Sequence, residues 1–280
     1  MKTHVLWPYP RLINSILLSF FAISISVSSA HAQRQGSDDE TLVTDPRVQH
    51  LDYQFPGTDE RIPYALFVPD SYDSSMPAPL IISLHGLGRS YDWLMGYHGF
   101  LDAAEAGGHI VVTPLGYIRR GWYGSRPVEE GAEVAQRSEQ DVMNVIEKVR
   151  TEFSIDENRI YLWGHSMGGA GAYHIAINNP DLFAGLAVVA AAPLQSLDPA
   201  ELAVIKHVPI LVMHGDNDET VPVSLARKWV AGIQSLGMQH IYIEVKGGDH
   251  SLLISQAPEN MRRVVDFFDI VSKSYQNQQQ

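Results

Sequence analysis

The sequence predicts an α/β fold: a mainly parallel, eight-stranded sheet with helices on both faces. Short, continuously apolar runs recur along the chain, as they do in strands buried on both sides. Longer segments with helical periodicity separate them. An alternating pair of runs comes before this series and carries a hairpin signature.

The hairpin comprises 48–55 and 61–68, joined by Pro56-Gly57-Thr58-Asp59-Glu60. The apolar runs follow in order: Leu80-Ile81-Ile82-Ser83-Leu84, Ile110-Val111-Val112-Thr113, Arg159-Ile160-Tyr161-Leu162-Trp163, Leu186-Ala187-Val188-Val189-Ala190, Ile210-Leu211-Val212-Met213 and Ile241-Tyr242-Ile243-Glu244-Val245. Helices are expected over 93–105, 138–153, 169–178, 223–236 and 258–272. Val142, Val145, Ile146 and Val149 form a core-facing stripe in the second of these. In such sheets ligands bind beyond the carboxyl ends of the strands, which limits the residues that can meet in a site.

A chain of 280 residues is ample for a core of this kind. An apolar content of 45% with 19% charged residues excludes wholesale disorder. The absence of cysteine removes disulfides, thiolate catalysis, zinc-thiolate sites and iron–sulfur clusters. With 32 acidic against 20 basic residues, the chain is poorly suited to nucleic acid or an anionic membrane surface.

Residues 1–32 read as a secretory signal peptide. Lys2 and Arg11 make a basic start, residues 12–27 are apolar, and Ala30-His31-Ala32 supplies a small-residue cleavage site before Gln33. The apolar run is about 16 residues, short of the roughly 20 that span a bilayer, so no stable membrane anchor is expected after cleavage. Export to the periplasm or the medium follows. Residues 33–47 are expected as a mobile leader, 48–275 as a single domain, and the Gln-rich 276–280 as a disordered tail.

The strongest motif is Gly164-His165-Ser166-Met167-Gly168-Gly169, between an expected strand and an expected helix. G-x-S-x-G in that setting is a nucleophile elbow. Small residues two before and two after the serine let strand and helix approach closely. The helix N-terminus behind Ser166 offers free N–H groups to a developing oxyanion.

A serine hydroxyl needs a base, and the base needs an orienting acid. On this fold the order is Ser, acid, His. Of twelve histidines, His207, His214, His240 and His250 lie well beyond Ser166. His207 and His240 precede strands, and His214 precedes the acid candidates. His250, in Gly247-Gly248-Asp249-His250 after the last strand, is the expected base. Asp216, Asp218 and Glu219 compete as the acid. A calcium loop at Asp216-Asn217-Asp218 lacks its glycine and its terminal glutamate.

The oxyanion hole needs two N–H donors. Met167 follows the nucleophile; the other is expected from Leu87 in His85-Gly86-Leu87-Gly88. His85 is expected to be structural, and no metal is expected. The loop 116–133 holds Tyr117, Arg119, Arg120, Trp122, Tyr123 and Arg126. Trp122 and Tyr123, with His165, are assigned to substrate binding; the alternative is that the two aromatics only pack the loop onto the body.

The elbow, the His85-Gly86-Leu87-Gly88 loop, Gly215-Asp216-Asn217-Asp218 with Val221-Pro222, and His250 resemble the α/β-hydrolase superfamily. Asp156-Glu157-Asn158-Arg159-Ile160-Tyr161, then the elbow and Gly171-Ala172-Tyr173, resemble secreted polyhydroxybutyrate depolymerase-like and feruloyl esterase-like serine esterases, near the prolyl oligopeptidases and dienelactone hydrolases. The resemblance favours Asp218 as the acid. It implies a cofactor-free carboxylic ester hydrolase acting on small or oligomeric feruloyl-, acetyl- or hydroxyalkanoate-type esters. It departs from dienelactone hydrolases proper, whose nucleophile is cysteine, and from prolyl oligopeptidases, which carry a propeller. A small serine peptidase is the alternative, and a non-catalytic binding protein a remote one.

Overall fold

The computed structural model describes residues 42–194 and 198–273. The proposed signal peptide, residues 33–41 of the leader and the tail lie outside them.

One eight-stranded sheet organises the fold, in the order β1-β2-β4-β3-β5-β6-β7-β8. β1 (Gln49–Gln54) and β2 (Arg61–Phe67) form the antiparallel hairpin, and β2 runs antiparallel to β4 (Ile110–Pro114). The rest is parallel: β3 (Ala78–Leu84), β5 (Ile155–His165), β6 (Gly185–Val189), β7 (Ile210–Gly215) and β8 (His240–Val245). Successive strand side chains point to opposite faces, so each central strand feeds two cores. Leu80, Ile82, Ile160 and Leu162 join one; Ile81, Tyr161 and Trp163 join the other.

Helices close both cores. α1 (Phe100–Gly107) and α6 (Pro258–Ile270) cover the Trp163 face through Phe100, Met261, Val264 and Phe268. α2 (Ala132–Glu152), α3 (Met167–Asn178) and α4 (Val223–Ser235) cover the other, where the Val142, Val145, Ile146, Val149 stripe is buried as expected. A single turn, α5 (Leu252–Ser255), follows the β8 loop.

Two expectations change. The helix expected over 93–105 is a 3-10 turn, Trp93–Gly96, and then α1. Gly99 separates them at φ 78°, a left-handed conformation that glycine adopts without steric cost and that no helix continues through. The described end of the leader, 42–47, is tied to the body rather than loose. The Val43 amide donates to the buried Asp92 carboxylate at 2.5 Å, and Arg47 pairs with Asp45 and Asp102.

Candidate active site

Ser166 stands between β5 and α3 at φ 58°, ψ −116°, a left-handed backbone rarely taken by a non-glycine residue. The surrounding structure holds it there. Its amide donates to the Val189 carbonyl at 3.0 Å, and its carbonyl accepts from Ala192 at 2.9 Å and from Ala170 at 3.1 Å. The elbow closes because the residues two before and two after the serine lack side chains. A Cβ on Gly168 would sit inside the Leu84 carbonyl, and one on Gly164 inside the Gly168 carbonyl.

The loops beyond β7 and β8 bring Asp218 and His250 to this turn. Ser166 Oγ lies 2.9 Å from His250 Nε2, and His250 Nδ1 lies 2.7 Å from Asp218 Oδ2. With Nδ1–H donating to the carboxylate, Nε2 is free to accept the serine proton. The Asp218 side chain is fully buried. Its Oδ1 accepts from the Thr220 and Val221 amides at 2.9 and 2.8 Å. Its Oδ2 faces a second imidazole as well, His214 Nε2 at 3.1 Å, which also reaches the Val221 carbonyl at 2.8 Å. His214, set aside above as a base, thus braces the acid. Asp216 stands apart and accepts the Gly247 amide at 2.6 Å, tying the two loops together.

Leu87 and Met167 flank the serine from two elements. Met167 opens α3, and a Cβ on Gly86 would lie 3.6 Å from Ser166 Cβ, so the loop carrying Leu87 runs against the nucleophile. Neither amide donates a hydrogen bond among the described residues. His85 anchors the same loop, its ring nitrogens 2.8 Å from the Gly86 and Leu115 carbonyls.

Two residues assigned to substrate binding face inward instead. Tyr123 is fully buried: its hydroxyl donates to the His85 carbonyl at 3.3 Å and its amide to Ser138 Oγ at 3.0 Å. It packs the loop onto the body, and Gly171 of α3 leaves it room, since a Cβ there would lie 2.5 Å from the Tyr123 ring. His165 is also fully buried, because strand alternation turns it away from the mouth when Ser166 turns toward it. Its Nε2 lies 2.7 Å from the His250 carbonyl, its Nδ1 lies 2.5 Å from the Tyr97 hydroxyl, and Trp93 stacks on its ring at 5.5 Å. Burial, then the neighbouring His250, pushes its pKa down to about 3, so it is neutral. As Nε2–H it donates to His250 while Nδ1 accepts from Tyr97. Trp122 is 7% exposed, with the Arg126 guanidinium 3.5 Å over its ring.

The sequence reading missed Asp141. This fully buried carboxylate on α2 accepts from the Gly116 and Tyr117 amides at 2.7 and 3.0 Å and from the Tyr53 hydroxyl at 2.6 Å. It thereby fixes the start of loop 116–133. Burial raises its pKa to about 6, against the lowering effect of those three donors. The signal was present: an aspartate at 141 stands on the same helical stripe as Val142 and Val145.

Residues 72–272 match the phospholipase/carboxylesterase family. The chain belongs to that family. Its domain has the α/β-hydrolase fold. Among relatives, an Aspergillus terreus protein described as a probable feruloyl esterase C is 27% identical over 228 residues, 78% of this chain and 76% of that one. A Nocardia uniformis subsp. tsuyamanensis protein described as putative esterase NocK is 32% identical over 147 residues, 51% of this chain and 41% of NocK. The crystal structure of a thermostable esterase superposes with a TM-score of 0.64 at 23% identity, covering 81% of this chain and 63% of that one. The chain thus spans less than two thirds of NocK and of the thermostable esterase.

Proposed function

We propose that this carboxylesterase-family domain is a secreted serine esterase working through Ser166, His250 and Asp218 and an acyl-enzyme. The observation that carries the proposal is the unbroken relay: serine oxygen to imidazole at 2.9 Å, imidazole to buried carboxylate at 2.7 Å, starting at a strained elbow.

Ser166 Oγ attacks the ester carbonyl as its proton passes to His250 Nε2. Asp218 holds the ring by Nδ1–H and stabilises the imidazolium. The Leu87 and Met167 amides, free for a ligand, receive the oxyanion. His250 then protonates the departing alcohol, and water repeats the sequence to release the acid. Positioned acid–base transfer and oxyanion donors each contribute about two to four orders of magnitude in such sites.

The feruloyl esterase relative supports an ester of a hydroxycinnamic acid as the first substrate class to try, with acetyl and hydroxyalkanoate esters next. Trp122 and the arginines of its loop line the approach. Secretion rests on the signal-peptide layout of 1–32.

The test uses protein beginning at Gln33 and its Ser166→Ala variant. Hydrolysis of p-nitrophenyl acetate, butyrate and octanoate and of methyl ferulate is followed, with a peptide p-nitroanilide alongside. Ester turnover lost in the variant is expected. Amide turnover without ester turnover would move the protein to the peptidases. Failure of a fluorophosphonate to label Ser166 in folded protein would overturn the catalytic reading.

A further inference from the structure

The mouth of the site departs from the chain's acidic character. Loop 116–133 places Arg120 and Arg126 with Trp122, Leu87, Pro127, Val128, Glu129 and Glu130 around a cleft of about 170 Å³. The cleft opens directly from the oxyanion loop. A Cβ on Gly88 would lie 3.5 Å from an Arg120 guanidinium nitrogen, and the Gly88 amide donates to the Arg119 carbonyl at 3.0 Å.

Neither Arg120 nor Arg126 makes an ion pair or a side-chain hydrogen bond among the described residues. Most other arginines here are paired: Arg47, Arg61, Arg137, Arg150, Arg159 and Arg227 all hold carboxylates. In a chain with 32 acidic residues, two unpaired guanidiniums in one cleft are out of keeping. Arg126 is also held in place. Its stack on Trp122 covers the indole face, so the cleft offers the edge of a planar fork of N–H donors rather than a free aromatic surface. A fork fixed in advance loses little rotamer freedom when it closes on a carboxylate, its natural bidentate partner. Glu129 and Glu130 stand at the exposed rim of the cleft without pairing to either arginine. Their charges at the rim oppose a polyanion.

We propose that Arg120 and Arg126 form an anion subsite beside the oxyanion loop that takes a single carboxylate carried by the ester substrate. This deepens the serine-esterase reading and rests on it for the chemistry. The substrate class becomes a monocarboxylate ester, its charge lying on either the acyl or the alcohol part.

Two charged and neutral pairs test it. p-Nitrophenyl hemisuccinate against p-nitrophenyl butyrate puts the charge on the acyl side; 4-acetoxybenzoate against its methyl ester puts it on the leaving group. The ratio of kcat/KM, charged over neutral, is measured in wild type, Arg120→Gln and Arg126→Gln. For at least one pair we expect that ratio to fall about tenfold or more in each variant, the usual scale for losing a charge-assisted contact, and to recover in part in Arg120→Lys. A ratio unchanged for both pairs overturns the subsite, while Ser166-dependent turnover of the neutral esters leaves the esterase reading standing. If no ester is turned over, the esterase reading fails and binding decides the subsite. 4-Acetylbenzoate is then titrated calorimetrically into Ser166→Ala protein with and without Arg120→Gln. Saturable binding lost with the arginine supports the subsite; no binding, or binding indifferent to Arg120, overturns it.

Discussion

His165 shows how a residue one position from the nucleophile can act without facing the substrate. Its Nε2–H holds the His250 main chain at 2.7 Å, and Tyr97 and Trp93 fix the ring. It is a positioning residue. His165→Ala is expected to lower kcat by roughly 10- to 100-fold with KM little changed, since the base drifts while the substrate cleft stays intact. His165→Gln, which keeps a donor near the same place, should recover part of the loss; a matching rise in KM would argue for a direct substrate role instead. Removing the acceptor of the His250 Nδ1–H hydrogen bond should cost more: Asp218→Asn lets the ring adopt the wrong tautomer, and a fall in kcat of about 10⁴ is expected in steady-state assays. Asp141 carries a prediction in pH. Its folded pKa is raised to about 6 from an unfolded value near 3.8, so ionising it costs more in the folded chain. The stability it contributes is present below the unfolded value and is lost as pH rises through about 6, on the order of 3 kcal/mol for two units. Asp141→Asn removes that dependence. Its unfolding free energy, from denaturant midpoints at about pH 4 and 7, should fall less with rising pH than wild type's; equal slopes would contradict the assignment.

The elements carry the geometry that these residues need. α3 can begin immediately after Ser166 only because Gly168 packs directly on the Leu84 carbonyl. Gly168→Ala must push α3 off β3, so loss of both soluble folded protein and activity is expected, read by circular dichroism and ester turnover. A folded, active Gly168→Ala protein would mean that the elbow is looser than described. This packing was legible beforehand, because the G-x-S-x-G pattern needs small residues at those places. The central strands were legible too, since burial on both faces leaves continuous apolar runs such as Leu80-Ile81-Ile82. Other features were not. α2 starts at Ala132 rather than 138, because its first turns run over a loop and carry no apolar stripe. The single turn at Trp122–Gly124 puts Trp122 and Tyr123 at φ 57° and 53°, a conformation that aromatic residues do not advertise in sequence. Chain order set His214 aside as the base but says nothing of which oxygen its ring meets, so its place beside Asp218 was not legible.

Across the whole molecule, the strand order separates the members of the relay. Ser166 follows β5, which pairs on both sides with β3 and β6, and its own amide and carbonyl are bonded into neighbouring segments. His250 follows β8, an edge strand whose side chains are only partly covered. Asp218 lies between, after β7. The three groups therefore do not share one resistance to opening. Sheet edges and their loops open at lower free energy than paired central strands. On warming, the histidine should leave register while the serine is still locked in place. Catalysis is then the most sensitive thermometer this molecule has: ester turnover should fade a few degrees before ellipticity does, and amide exchange should be rapid around 246–251 while the Ser166 amide stays protected. A heated sample would keep its shape and lose its chemistry, and on cooling regain it without having to refold.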